Sequence, residues 1–233
     1  MSARRVWRPQ LTSAEQRQGW VFFFLYLLVF PVLLPMILKL LDERWEVYAR
    51  SAAVSSAIYY LIIAVLVMAG FFSFLLHAFS LFLDWLPENL FAMGTGLVGA
   101  AVGCVLVSLI PLPMALPLLT DYPQQYAISP GATIAIVVLL RPLVDEILFR
   151  GLLFGSLRKY SRLLAYTVST VAFALCSVWQ FVPLYGFSYL LLGVLYIPLG
   201  LAFTWSYDNG GSVWSPILLH MACSGIALAL ILP

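Results

Sequence analysis

The chain has 233 residues, of which 63% are hydrophobic and 9% charged, with a mean hydropathy of +1.01 and a formal net charge of +2. A soluble domain carries about 25% charged residues, so this composition excludes one, and so small a net charge gives no reason to expect nucleic acid as a partner. What remains is an all-α, polytopic transmembrane helical bundle of about seven spans, with six to eight as the range.

Residues 1–19 read as a cytoplasmic N-terminal tail, with Arg4, Arg5, Arg8 and Arg17 set against Glu15. No small-residue cleavage site follows the first apolar run, which predicts a retained tail over a cleaved signal peptide. The first span is predicted over about 20–41, kinked near Pro31 and Pro35. A charged loop follows, with Asp42, Glu43, Arg44, Glu46 and Arg50. Residues 51–83 stay apolar for longer than one bilayer needs, which predicts a tilted helix or a span plus an interfacial piece. After a short turn from Asp84 to Asn89, a third span is predicted over about 90–116. Its glycines, Gly94, Gly96, Gly99 and Gly103, read as close helix packing, with a GxxxG at Gly99–Gly103. The stretch 117–130 carries Pro117, Pro123 and Pro130 with Asp121 and reads as an extracytoplasmic loop. The fourth span, about 131–157, is closed by Arg158, Lys159 and Arg162. Three more are predicted over about 163–181, 184–206 and 212–232, the last two joined by SYDNGGS with Asn209-Gly210 as the breaker. This threading puts both basic clusters on the cytoplasmic side, while the two arginines of 42–50 land outside next to Lys39. The chain thus divides into the tail 1–19, N-terminal helices over 20–120 and a core over 121–233.

The fourth span is the informative one. Its run VVLLRPLVDEILFRGLLFG holds Arg141, Asp145, Glu146 and Arg150. A charge at membrane depth costs about 2.5–3.5 kcal/mol on insertion scales and by default marks function. Arg141 and Asp145 stand one turn apart on one helix face, and Glu146 and Arg150 make a second such pair on another. Read structurally, these are two neutralising pairs that lock a bundle. Read chemically, adjacent carboxylates point different ways. One can be held by Arg150 while the other faces a polar cavity and acts as general base on a water.

His220, in SPILLHMACSG, shares a helix face with Ser224. A lone histidine in an apolar helix is more often packing than ligand. Ser169, Thr170, Ser177 and Gln180 interrupt the fifth span, where serines ordinarily bond back to the i−4 carbonyl. Cys104, Cys176 and Cys223 lie in apolar segments, read as packing residues, and match no metal spacing.

Three strings in order, DEILFRG, then FALCS, then SVWSPILLHMACS, resemble the CPBP family of intramembrane proteases, which includes the type II CAAX prenyl endopeptidases. The resemblance covers residues 130–232 and includes Phe173, Trp214 and Pro216. The family's motifs are Glu-Glu-x-x-x-Arg, Phe-x-x-x-His and His-x-x-x-Asn. Here Glu146, Arg150, Phe173 and His220 match; Asp145 replaces the first glutamate, Ser177 the motif-two histidine and Ser224 the asparagine. The resemblance implies that the first carboxylate is the general base, that the histidines bind a metal or polarise water and substrate, and that the asparagine position holds the oxyanion. Arg141 is read as a supporting residue. It further implies a divalent metal such as zinc, bound weakly or not at all, with Glu146 and His220 as the remaining ligands. Serine is a poor substitute for imidazole as a zinc ligand, and aspartate reaches about 1.5 Å less than glutamate, where 1 Å can cost about a hundredfold.

Two functions follow from the resemblance. One is an intramembrane endopeptidase acting on a membrane-embedded or lipidated peptide or protein. The other is a pseudoprotease that binds such a partner without cutting it. A transporter is disfavoured because the charges concentrate on one helix with no repeated half. A serine protease built on His220 and Ser224 is disfavoured because no orienting acid or oxyanion hole is evident. The compact chain with short loops points to an integral protein of a bacterial plasma membrane.

Overall fold

The computed structural model describes residues 10–29, 60–116 and 118–232, which are helical with no strand among them. Helix α1 is Ser13–Phe24 and continues through a wide turn over Leu25–Val29. It begins inside the segment read as a tail, because Thr12 and Glu15 form a reciprocal capping box. The Glu15 carboxylate also accepts the Phe74 backbone N–H at 2.7 Å, so one buried side chain caps two helix starts.

Helices α2 (Tyr60–Gly70) and α3 (Phe72–Asp84) meet at a bend of 79°. This explains the excess length of the second apolar run: it is a broken element, not one long tilted helix. Helix α4, Leu86–Ser108, stops short of the predicted 116 because Pro111 and Pro113 follow. The expected loop at 117–130 instead holds helix α5, Leu118–Ile128, which tolerates Pro123 in its interior. Its proline content misled the reading.

Next comes the charged run, α6, made of Pro130–Ile134, Ala135–Leu140, Arg141–Glu146, Ile147–Phe154 and Gly155–Arg158. Two of these pieces, Ala135–Leu140 and Ile147–Phe154, are π-helical. The first immediately precedes Arg141-Pro142, and proline removes a backbone donor and crowds the carbonyl four residues before it. Helix α7 is Arg162–Trp179, capped by Ser161. A single turn, α8 (Val182–Tyr185), leads into α9, Phe187–Gly210, whose first part is a tight 3₁₀ stretch. Helix α9 ends at Gly211 in the left-handed region, at φ 84°. Helix α10 is Trp214–Ile231.

Among the described residues, four helices (α4, α7, α9 and α10) are long and apolar enough to cross a membrane, or five if α2 and α3 form one broken span. Most of the predicted first span, about 20–41, lies outside the described residues. The stretch predicted as the fourth span, about 131–157, is helical as the α6 run, but π-helical turns break it and it is not among these four or five candidates. Large apolar side chains face outward, among them Phe91, Leu163 and Leu230 at 69, 77 and 81% exposure, as lipid contact requires. The chain is an integral membrane protein.

The α4–α9 contact depends on small residues, on two of the four glycines read as close packing. A Cβ at Gly103 would stand 2.6 Å from Pro198 Cβ, and one at Gly96 2.8 Å from Leu219 Cδ2 and 3.2 Å from the Ala202 carbonyl oxygen. Ala100 is buried between them, whereas Gly99 has nothing within 4 Å. The packed face is therefore Gly96–Ala100–Gly103, and Gly99 lies off it. Gly103→Ala is expected to destabilise the protein by roughly 1–3 kcal/mol through overpacking. Gly99→Ala is expected to be neutral or stabilising by up to about 1 kcal/mol. Thermal unfolding of both variants in detergent distinguishes them, and equal behaviour would refute the face assignment.

Candidate functional site

The two carboxylates of α6 part company as neighbouring helical positions must. Asp145 turns toward α1, where the Tyr26 hydroxyl donates to Oδ1 at 2.6 Å, and Arg141 Nε lies 3.6 Å from Oδ2. Glu146 turns toward α9 and α10. Its Oε1 accepts from Arg150 Nη1 at 3.0 Å and faces His220 Nδ1 at 2.8 Å. Both i,i+4 pairs read from the sequence are present, the second fully buried.

Arg150 is held on several sides. Its Nη2 donates to the Gly200 carbonyl at 3.0 Å, and its guanidinium carbon lies 4.4 Å from the Phe173 ring centroid and 5.3 Å from that of Phe203. Phe203 also stacks on His220, with centroids 4.4 Å apart and planes 23° apart, while Phe173 meets the imidazole edge-on at 5.6 Å. Phe173, matched in the sequence as a motif residue, thus packs against both charged groups. With Nδ1 engaged by Glu146, Nε2 is the imidazole nitrogen that remains for a second partner. Glu146 Oε2 and Arg150 Nε have no hydrogen-bond partner among the described residues.

One cavity of about 460 Å³ collects the remaining positions. Arg141, Asp145, Ser177, His220 and Ser224 all line it, with Phe173 and Phe203 in its wall. Glu146 is absent from the lining and sits behind His220. Three sequence motifs separated by tens of residues therefore meet at one hollow. The two replacement serines differ there. Ser177 donates its hydroxyl to the Phe173 carbonyl at 2.9 Å, the ordinary i−4 back-bond. Ser224 is half-buried on the cavity wall, one turn beyond His220 on α10. Ser169 does not back-bond as expected and instead donates across to the Phe149 carbonyl of α6 at 2.9 Å. His77 is exposed on α3, away from this group.

Among the described residues, no group of three His, Cys, Asp or Glu side chains gathers. Glu146 Oε1 and His220 Nδ1 face each other at hydrogen-bonding distance with a guanidinium on the same oxygen, which leaves no metal position between them.

Several partners lay beyond the sequence reading. Tyr26, the hydroxyl on Asp145, stands in an apolar run (FFFLYLLVF) that gives no sign of a polar partner. Tyr122, whose hydroxyl accepts from Arg141 at 3.4 Å, stands in the proline-rich stretch expected to be a loop. Asp208, read as turn material, buries its carboxylate and receives Arg158 at 2.8 Å, Arg162 at 2.7 Å and the Tyr166 hydroxyl at 3.2 Å. Asn89 and Ser215 join in a short hydrogen bond under Gly210.

Residues 127–226 match the family model described as type II CAAX prenyl endopeptidase Rce1-like. This agrees with the family resemblance drawn from the three motif strings. No curated protein and no solved structure shows a match to the chain.

Proposed function

We propose, taking residues 127–226 as an Rce1-like domain, that the chain is a CAAX-protease-like membrane protein that holds a membrane-embedded or lipidated peptide in this cavity, with its hydrolytic step disabled. The carrying observation is Ser177. Its hydroxyl is bonded to its own helix, so the motif-two position presents no imidazole to a water in the cavity. Asp145, the motif-one carboxylate, already accepts from Tyr26 and pairs with Arg141. Both carboxylate oxygens are therefore already engaged by protein side chains. The hollow itself persists, walled by apolar side chains with a few polar groups converging, as a binding site requires. A bacterial plasma membrane suits the compact chain.

Hydrolysis is the second reading, and one observation favours it: Asp145 and His220 still share the cavity. With Nδ1 tied to Glu146, His220 offers Nε2 as an acceptor for a water proton, an orienting carboxylate behind an imidazole. In that case Asp145 would hold the water and the carbonyl would go without the asparagine donor.

Purified protein in lipid, given a panel of photo-crosslinkable membrane peptides, separates the two. Binding without cleavage above the level of His220→Ala is expected, and a chelator is expected to leave binding unchanged. Cleavage lost in both Asp145→Ala and His220→Ala would establish the endopeptidase reading instead.

A further inference from the structure

The cavity is not centred in the bundle. One end of the molecule is marked by three contacts between distant segments. Gln10 Nε2 donates to the Gly211 carbonyl at 2.9 Å, Gln16 Nε2 donates to Ser156 Oγ at 2.9 Å, and Asp208 receives Arg158 and Arg162. From that end the helices run inward. Asp145 lies eleven residues from Ser156, Tyr196 twelve from Asp208, and Ser177 fifteen from Arg162. At 1.5 Å per residue these cavity positions are about 16–23 Å from the marked end. The hydrocarbon core is about 30 Å thick. Phe203 and His220, five residues from Asp208 and nine from Gly211, bring its near wall to about 8–14 Å from that end, and the hollow extends away through mid-depth, reaching Leu116 and Tyr122 beyond the end of α4 and Leu230 near the end of α10.

Among the described residues, charge separates the two ends. Arg158, Lys159 and Arg162 lie at the marked end, as does Arg17, and Arg4, Arg5 and Arg8 stand in the sequence just ahead of Gln10. The stretches at the cavity end, 109–130, 180–195 and 225–233, contain no lysine or arginine. Lys39, Arg44 and Arg50 fall outside the described residues and are interleaved with Asp42, Glu43 and Glu46. Lysine and arginine near span ends set orientation.

We propose that the basic end faces the cytoplasm and that the cavity is entered from the opposite, extracytoplasmic half of the bilayer, so that its occupant is a membrane peptide whose recognised segment lies in that leaflet. The peptide class rests on the function proposed above, whereas the side of entry rests on geometry and charge alone. A peptide confined to the cytoplasmic half would meet the closed, ion-paired end around Asp208.

Two native cysteines make this testable. Cys104 and Cys223 line the cavity, whereas Cys176 does not. The experiment uses the Cys176→Ala protein in bacterial membrane vesicles, with each of Cys104→Ala and Cys223→Ala added in turn so that one cavity thiol remains. A charged, membrane-impermeant methanethiosulfonate is applied to right-side-out and to inverted vesicles. Labelling at least tenfold faster in right-side-out vesicles is expected. Lys159→Cys in a background with all three native cysteines changed to alanine is expected to label only in inverted vesicles, since Lys159 is exposed at the basic end. Cavity labelling confined to inverted vesicles, or Lys159→Cys labelling from outside, would overturn the proposal. So would no cavity labelling from either side where a permeant maleimide reacts. None of these readouts depends on binding or cleavage of a peptide, so a failed function and a failed orientation remain distinct.

Discussion

Replacing Arg150 with methionine is expected to lower the stability of the protein by about 3–5 kcal/mol, the cost of removing one partner of a buried ion pair. The side chain is fully buried, pairs with an equally buried Glu146, donates to the Gly200 carbonyl and covers two aromatic faces. Its loss strands a carboxylate and a carbonyl in a low-dielectric interior. Thr204 still donates to Gly200 at 2.8 Å, so the carbonyl is partly compensated and the carboxylate is the larger liability. The double variant Glu146→Leu/Arg150→Met is therefore expected to recover much of the loss. Arg141→Met is the control. That pair is 3.6 Å apart and Arg141 is partly exposed, so a cost of about 1 kcal/mol or less is expected. Unfolding in mixed micelles gives all three values, and equal costs for Arg150→Met and Arg141→Met would refute the assignment of Arg150 as the central strut.

The triple variant Asp145→Glu/Ser177→His/Ser224→Asn is expected to cleave membrane peptides at least a hundredfold faster than the parent protein. All three positions already line the cavity, so the substitutions add groups to a hollow that exists. Glutamate at 145 restores about 1.5 Å of reach, on a scale where 1 Å can be worth about a hundredfold. Histidine at 177 replaces a hydroxyl spent on its own helix with an imidazole able to take a proton or hold a water. Asparagine at 224 puts an amide donor one turn beyond His220, where a developing oxyanion needs it. Single replacements are expected to gain far less, because groups that act as a unit are not additive. If the triple variant binds peptide as the parent does but cuts no faster, the loss of catalysis lies elsewhere than in these side chains.

Much of this was readable in the residues. The two i,i+4 charge pairs follow from helical spacing, and the three motif strings fixed which helices had to meet. The boundaries of α7 and α10 fell within a few residues of prediction, where an N-cap serine or a Trp-Ser-Pro start marks them. The misses share a cause: polar partners that are distant in sequence leave no local trace. Tyr26 meets Asp145 across 119 positions, and Asp208 gathers three donors from a helix junction some fifty residues earlier. Proline also misled, since the α5 segment forms a helix despite Pro123. The Thr12–Glu15 capping box, by contrast, is legible in the sequence, and reading 1–19 as a cytoplasmic tail overlooks the helix it starts.

The pairing of charges within a single helix also bears on how the protein is made. Helix α6 reaches the membrane long after α1 and well before α10. Tyr26 is synthesised 119 residues ahead of Asp145, a wait of roughly 6–24 s at about 5–20 residues per second. His220 follows Glu146 by another 74 residues. Throughout that second interval α6 must sit in or beside the bilayer without its imidazole partner. It can, because Arg141 lies within reach of Asp145 and Arg150 within reach of Glu146 on the same helix, so the segment leaves the translocon with its charges already matched. The spacing that later shapes the cavity first serves as an entry permit to the lipid.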